Sequence, residues 1–529
     1  MNLPTPDSIP AFQPIGDLLR GHARARPLHP ALVQGSDCLT WSALDLMMDR
    51  VAVALQRDGL QVGDIIVLCG AMTPDLAAIF LGALRAGVAV APLAHSVTPE
   101  TFAAMLQDAH PKRLFIDQNA IGLVPADLRD LSIALDAETP GVSLNDWLAP
   151  PGVEPRPVEI RPEDPFNIIY SSGTTGVPKG IVQPHGMRWM HIQRGGQYGY
   201  SADTVTLLST PLYSNTTLVV FFPTLGSGGT VHLMGKFDAG AWLSIASRQR
   251  VTHTMLVPVQ YRRLMLHPQF DHHDLSSFQM KFCTSAPFAA ELKADIVRRW
   301  PGGLVEFYGM TEGGGTCILE AHVHPEKLHT VGKPAEGHDL RLIDDRGLEV
   351  GPGELGEVVG RSPAMMIGYH NQPEKTREAE WFSPEGLRFI RTGDIGRFDS
   401  EGFMILMDRK KDMIISGGFN VYPSDLEAIL VQHPAVIEAA VVGVPSVEWG
   451  ETPVAFVVQR ATDAVSASVL REWLNSRVGK TQRLSDLRLM PELPRSAIGK
   501  VLKRELRDRY PESAPERTAE PFPEAPGDR

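Results

Sequence analysis

The chain predicts a layered α/β protein of more than one domain, with antiparallel β structure late in its length. Three observations carry this. Apolar runs of strand length alternate with helical patterns through most of the 529 residues, as expected where strands and helices stack in layers. Residues 337–369 are rich in Val, Ile and Leu and are broken by Asp344-Asp-Arg-Gly347 and Gly351-Pro-Gly-Glu354, which are turn sequences between antiparallel strands. The length exceeds one core, since single cores stop growing near ~250–300 residues.

In order along the chain, residues 65–69 read as a buried strand, 75–86 as a helix, 88–93 as a strand and 112–116 as a strand. Residues 76–93 are the most apolar stretch. Asp75 flanks it, Arg85 interrupts it, and Gly82, Gly87 and Pro92 punctuate it. It is too short and broken for a membrane span and reads as a helix followed by a strand. Past Arg409 the pattern changes. A helix is expected over 425–430, where Ser424 and Glu427 have capping-box spacing and Leu426, Ile429 and Leu430 share one face. Strands over 439–444 and 453–458 and a helix over 467–478 complete a unit of roughly 100 residues, a usual domain size. The charged run Asp408-Arg-Lys-Lys-Asp412 marks the boundary and by composition reads as a solvated turn. The expected division is therefore 1–408, 409–510 and a disordered tail over 511–529, which carries five prolines and no apolar period.

Composition excludes several classes. A net charge of -12 argues against a nucleic-acid or anionic-membrane binder. Four scattered cysteines without C-x-x-C spacing fit a reducing cytoplasm better than a disulfide framework or a zinc site. The first residues lack the basic and apolar regions of a signal peptide, and the last are not the peroxisomal Ser-Lys-Leu. His272-His273 and His322-Val-His324 have no carboxylate or cysteine cluster to complete a metal site and read as loop residues.

The stretch Tyr170-Ser-Ser-Gly-Thr-Thr-Gly-Val-Pro-Lys-Gly180 is where chemistry concentrates. It follows an apolar run and holds three glycines, four Ser/Thr hydroxyls and one lysine in eleven residues. Glycines bring backbone N–H groups close to an anion, hydroxyls add donors, and Lys179 adds charge. This is a phosphate-holding loop, but not the G-x-x-x-x-G-K-[ST] loop of the common NTPases. Four further stretches join it: Phe307-Tyr-Gly-Met-Thr-Glu-Gly313, Arg391-Thr-Gly-Asp394, Asp408-Arg409 with Lys411 running into Ser416-Gly-Gly418, and Pro494-Arg-Ser-Ala-Ile-Gly-Lys500. Each alone is weak; their order and spacing together are specific.

On these motifs, with Gly63-Asp64 and the stretch from Gly368-Tyr369 to Thr376, the chain resembles the adenylate-forming superfamily of acyl-CoA synthetases, adenylation domains and luciferases from about residue 15 to 508. The resemblance implies a large N-terminal domain of two α/β layers plus a β-barrel, and a small mobile α+β C-terminal domain. It implies a reaction in which a carboxylate attacks the α-phosphate of ATP to give an acyl-AMP and pyrophosphate, after which a thiol takes the acyl group. Such a reaction brings two anions together and needs cations and donors where charge develops. By resemblance, Ser171, Ser172, Gly173, Thr174, Thr175, Gly176 and Lys179 hold the phosphates. Glu312 ligates Mg²⁺ and Thr311 touches the α-phosphate. Tyr308 and the Ser285-Ala286-Pro287 backbone enclose adenine. Asp394 accepts the ribose hydroxyls with help from Arg409, and Lys500 bridges the acyl carboxylate and the α-phosphate. Lys411 is the hinge, Gly418 lines the coenzyme A tunnel, and Trp449 either contacts coenzyme A or packs the small domain. Tyr213, Phe307 and Gly309 belong to the acyl pocket.

Two departures from the family's pattern concern that pocket. Ser214 follows Tyr213 where relatives often have histidine, and the bulky Phe307 stands where glycine is common. The ring favours a compact aryl, cyclic or short-to-medium-chain acid over a long linear one. The expected activity is an AMP-forming carboxylic acid:CoA ligase using ATP, Mg²⁺ and coenzyme A. Alternatives are a long-chain fatty acid ligase, a stand-alone enzyme loading an acyl carrier protein, a luciferase-like oxygenase, and a non-catalytic nucleotide sensor. A homodimer, common in the family, is one assembly the resemblance allows.

Overall fold

The structure is a computed structural model and describes residues 11–171, 178–416, 419–446, 449–460, 465–496 and 499–510. The expected disordered tail lies outside them. The chain forms two compact units, the first running to Leu406 and the second beginning at Met407.

Two large sheets dominate the first unit. In the eight-stranded sheet, Ile65–Cys69 lies centrally between Ala89–Pro92 and Arg113–Ile116, all parallel. These strands are covered on both faces, so their sequences are continuously apolar rather than alternating. Beyond Ala89–Pro92 come Pro165–Ser171, then antiparallel Lys179–Pro184, then the edge strand Gly368–Tyr369. The nine-stranded sheet has a parallel centre that includes Val205–Leu208, His253–Leu256, Met280–Cys283 and Gly303–Gly309. Thr316–Glu320 turns back beside the last of these.

One apolar core joins the two sheets. It holds Leu32, Leu208 and Val231 from one, Ile66, Leu68 and Val90 from the other, and Phe80 and Phe222 from helices. Every residue of the helix Pro74–Arg85 except exposed Asp75 is buried, which is why its sequence from Leu76 reads as a long apolar run. Thr73 caps it by accepting from the Leu76 N–H at 3.2 Å, and proline occupies its first position. Arg85 ends it and binds Asp45 at 2.5 Å and Asp49 at 2.8 Å, so the one charge in that run is paired.

A third, antiparallel sheet of five strands follows. Asp339–Ile343, Gly356–Arg361, Arg388–Phe398 and Glu380–Phe382 pair in that order, and Met404–Arg409 pairs with Arg388–Phe398. Most of the segment expected to be antiparallel thus lies here, while Gly368–Tyr369 crosses into the eight-stranded sheet.

The second unit is α+β. The hairpin of Val436–Ser446 and Gly450–Gln459 is flanked by Ile414–Ser416 and by parallel Asp486–Leu489. The helices Pro423–Val431 and Ala467–Asn475 pack on it through Leu426, Leu430, Leu470 and Leu474. Two local expectations are corrected here. Ser424 and Glu427 form no capping box: Tyr422 is the N-cap and makes no side-chain cap. Glu427 instead accepts from the Val441 N–H at 2.7 Å and pairs with Lys503 at 2.8 Å, because burial there demands partners from the sheet and the last helix. Nor is 408–412 simply a solvated turn. The Asp408 carboxylate accepts from the Ser424 N–H at 2.8 Å, supplying the missing cap, and Asp412 pairs with Arg507 at 2.8 Å. Among the described residues no helix is long and apolar enough to cross a membrane.

Burial lowers the imidazole pKa of His185 and of His253 from 6.5 to about 4. Their unfolded forms take up protons below pH 6.5 while the folded forms do not. Stability is therefore full above pH 6.5 and is lost as pH falls towards 4. Urea unfolding across that range is expected to show this loss, with a shallower pH slope in His253→Gln than in the wild type.

Candidate active site

The strand Lys179–Pro184 organises the site. Alternate residues of a strand face one side, so Lys179, Ile181 and Gln183 share a face. Ile181 packs there with Met366, Tyr369 and Ile390. The opposite face puts Val182 against Phe102 and Ile168 in another core. The strand pairs with Pro165–Ser171, and Ser171 is directly opposite Lys179, so the two stems of the glycine-rich loop are clamped together. Ser172, Gly173, Thr174, Thr175 and Gly176 lie outside the described residues.

Lys179 places its ammonium 4.9 Å from the centre of the Tyr369 ring. The Tyr369 hydroxyl donates to Glu312 Oε1 at 2.9 Å. Burial, followed by the Glu312 charge, raises the Tyr369 pKa, so the phenol keeps its proton and stays a donor. Lys179, Tyr369 and Glu312 are thus brought into one line. Thr311, next to Glu312, is held by its backbone: the carbonyl accepts from Gln183 Nε2 at 2.7 Å. Gln183 is in turn oriented by buried Arg188, which donates to its Oε1 and to Asn167 Oδ1.

Glycine is obligatory just after this turn. Gly313 has φ +76°, and a Cβ there would lie 1.9 Å from the Ala364 carbonyl oxygen. The Gly313 carbonyl also accepts from Ser362 Oγ at 2.7 Å.

The strand Gly303–Gly309 delivers Phe307, Tyr308 and Gly309. The Tyr308 hydroxyl donates to Asp394 Oδ2 at 2.9 Å, and burial, followed by the Asp394 charge, holds that phenol protonated. Phe307 stacks on Phe282 with ring centres 5.5 Å apart, and its carbonyl accepts from Thr284 Oγ1 at 2.8 Å. Ser285 follows with φ +82°, a left-handed conformation that costs a non-glycine residue energy and concentrates at functional loops. Its hydroxyl meets Thr216 Oγ1 at 2.6 Å. Ala286 and exposed Pro287 continue the loop. Tyr213 is half-buried, and burial raises its pKa. Ser214 caps the helix Asn215–Gly226 by accepting from the Thr216 N–H at 3.3 Å, so the residue in the usual histidine place does local structural work.

The second unit carries the remaining expected residues. Arg409 ends a strand, and its carbonyl accepts from the Asp412 and Met413 N–H groups, making the turn that holds Lys411. Lys500 closes a tight loop: its carbonyl accepts from the Ser496 N–H at 2.8 Å and its N–H donates to Ser496 Oγ at 3.2 Å. Arg495 and Val501 bridge that loop, and Arg495 anchors it to Glu438 at 2.6 Å. Trp449 stands outside the unit's apolar clusters, with the Lys480 ammonium 5.4 Å from its ring centre. Gly418 lies outside the described residues. Neither histidine pair joins a metal-binding cluster among the described residues.

Residues 19–370 match the AMP-binding enzyme family and residues 425–500 match the AMP-binding enzyme C-terminal domain. The chain belongs to this family. The AMP-binding enzyme is 32% identical over 505 residues to the indoleacetate–CoA ligase of Aromatoleum aromaticum, covering 92% of this chain and 96% of that one. It is 33% identical over 502 residues to a feruloyl-CoA synthase of Amycolatopsis, covering 92% and 97%. Among solved structures it superposes on ATP-bound MatB from Rhodopseudomonas palustris with a TM-score of 0.83 at 28% identity, covering 94% of this chain and 99% of that one.

Sequence reasoning did not single out Tyr369 or Gln183 as candidate site residues. Tyr369 sits 57 residues from its partner Glu312 and Gln183 sits 128 from Thr311, so no local spacing announces either contact. Gly313→Ala is expected to lower the unfolding free energy by about 2 kcal/mol or more, through backbone strain at the Ala364 contact. Thermal unfolding beside the wild type checks this.

Proposed function

We propose that this chain is an ATP-dependent, AMP-forming carboxylic acid:CoA ligase acting through an acyl-AMP on an aryl, cyclic or short-to-medium-chain acid. The observation that carries the reading is the line Lys179–Tyr369–Glu312 beside the Tyr308–Asp394 pair. A cation and a carboxylate for polyphosphate chemistry lie next to an aromatic face and a carboxylate suited to a nucleoside.

In the first step a carboxylate oxygen of the acid attacks the α-phosphorus and the bond to pyrophosphate breaks. Lys179 and the loop that it follows neutralise the departing phosphates. The Asp394 carboxylate, already a hydrogen-bond acceptor from Tyr308, accepts the ribose hydroxyls, and Arg409 assists at the ribose. Thr311, positioned by Gln183, faces the α-phosphate. Lys500 stabilises the negative charge that gathers between the two anions. In the second step a thiol sulfur attacks the acyl carbonyl and AMP leaves. Trp449, with Lys480 over its ring, is a contact for coenzyme A.

Glu312 fits a magnesium ligand. Tyr369 occupies Oε1, while Oε2 has no protein partner among the described residues, and Mg²⁺ characteristically takes one or two carboxylates beside substrate phosphates. When bound, the ion supplies charge neutralisation at the phosphates. Phe307, fixed by stacking on Phe282, supports the compact acid. The aryl acids named for the two relatives support the same class.

Pyrophosphate release from ATP and Mg²⁺ against a panel of carboxylic acids, with and without coenzyme A, tests the proposal. Turnover that needs coenzyme A and prefers one compact acid class is expected. Release indifferent to coenzyme A points to a carrier-protein acceptor and removes the thioester half. Lys500→Ala is expected to slow acyl-AMP formation by about 10²–10³-fold, and a wild-type rate in single-turnover adenylation would contradict the assigned role. Tyr369→Phe, which frees Glu312 Oε1, is expected to lower the pyrophosphate-release rate by about 10-fold, the loss of one charge-assisted hydrogen bond, read at saturating acid.

A further inference from the structure

Arg194 is not absorbed by the chemistry above. It lies in the last turn of the helix His185–Gly195, half-buried, and its guanidinium has neither a hydrogen-bond partner nor a carboxylate partner among the described residues. A charge drawn partly out of water is normally paired. Arg188, nearly two turns earlier on the same helix, shows the normal arrangement: it is fully buried and satisfied by Gln183, Asn167 and His191.

The neighbours of Arg194 are donors. His338 Nδ1 is buried without a partner among the described residues. His191 lies close to both Arg194 and His338. Burial keeps both imidazoles neutral at pH 7, so the positive charges here are Arg188, which is already bonded to Gln183, Asn167 and His191, and the unpartnered Arg194. Tyr198 lies beside Arg194, and burial keeps its phenol protonated. Glu320 is the nearby carboxylate, and it acts on Tyr198 rather than on Arg194.

The cluster adjoins the reaction centre. The Tyr198 ring meets Phe307 edge to face with centres 5.9 Å apart. Phe307 immediately precedes Tyr308, which holds Asp394. The basic group therefore sits behind the aromatic wall assigned to the acyl pocket.

We propose that Arg194, with His191, His338 and the Tyr198 hydroxyl, forms a subsite for a second anionic group, a carboxylate at the end of the acid away from the one that is activated. A guanidinium grips a carboxylate through two parallel N–H bonds, and neutral imidazole and phenol donors complete the shell without adding charge. An aryl or cyclic spacer fits against Phe307. The substrate class is thus a compact dicarboxylic acid. This rests on the ligase reading above.

The test measures kcat/KM for pyrophosphate release with matched pairs of acids that differ only by a distal carboxylate: phenylacetate against 4-carboxyphenylacetate, cyclohexanecarboxylate against cyclohexane-1,4-dicarboxylate, and hexanoate against adipate. Wild-type enzyme is expected to favour the diacid of at least one pair by about 100-fold or more, since a site built to bond a polar group rejects the analogue lacking it. Arg194→Met is expected to invert that preference, losing the diacid and gaining the monoacid. Wild-type preference for the monoacid in every pair overturns the inference without any variant, and so does an Arg194→Met enzyme that keeps the wild-type ratio. Absence of pyrophosphate release with every acid overturns the ligase reading instead.

Discussion

The candidate site depends on one six-residue strand, Lys179–Pro184, being held on both edges. Pro165–Ser171 on one edge closes the stem of the glycine-rich loop. Gly368–Tyr369 on the other brings in the tyrosine that touches both Lys179 and Glu312. The strand's own side chains then alternate between a core and the site. The strand thus helps bring the loop stem, the tyrosine and the Thr311-Glu312 turn to one another, and a register slip of one residue would turn Lys179 and Gln183 into the core.

Much of the fold was legible in the sequence, for physical reasons. Strands covered on both faces must be apolar throughout, so residues 65–69 read directly and match Ile65–Cys69. The helix Pro74–Arg85 was legible because its breaks, Asp75 and Arg85, sit at its ends. Less legible was what each polar residue would choose. Ser424 and Glu427 had the spacing of a local cap, yet long-range partners, Asp408, Lys503 and Val441, claimed them. Spacing records what a residue could do locally, whereas burial decides which of its options must be used.

The site shows the same division. Motif residues from Ser285 to Asp394 were legible as short runs of distinctive residue types, some in loops and some within the strands Gly303–Gly309 and Arg388–Phe398. The residues that orient those motifs were silent. Tyr369 and Gln183 act across distances in sequence that no window spans, and the unpartnered state of Arg194 is visible only once everything around it has been placed. Ser214 is the opposite case: a serine before a helix is an ordinary cap signal, and Ser214 caps the helix that follows it.

Gln183 has a consequence for how the sequence can drift. Its amide oxygen accepts from Arg188 while its amide nitrogen donates to the Thr311 carbonyl. A carboxylate at this place would keep the first contact and forfeit the second; an ammonium would do the reverse. Asparagine offers both atoms on a stem one methylene shorter. The position thus behaves as a two-ended coupling whose polarity cannot be reversed or made uniform. A neutral core residue consequently constrains the alphabet at 183 as tightly as a reacting group would.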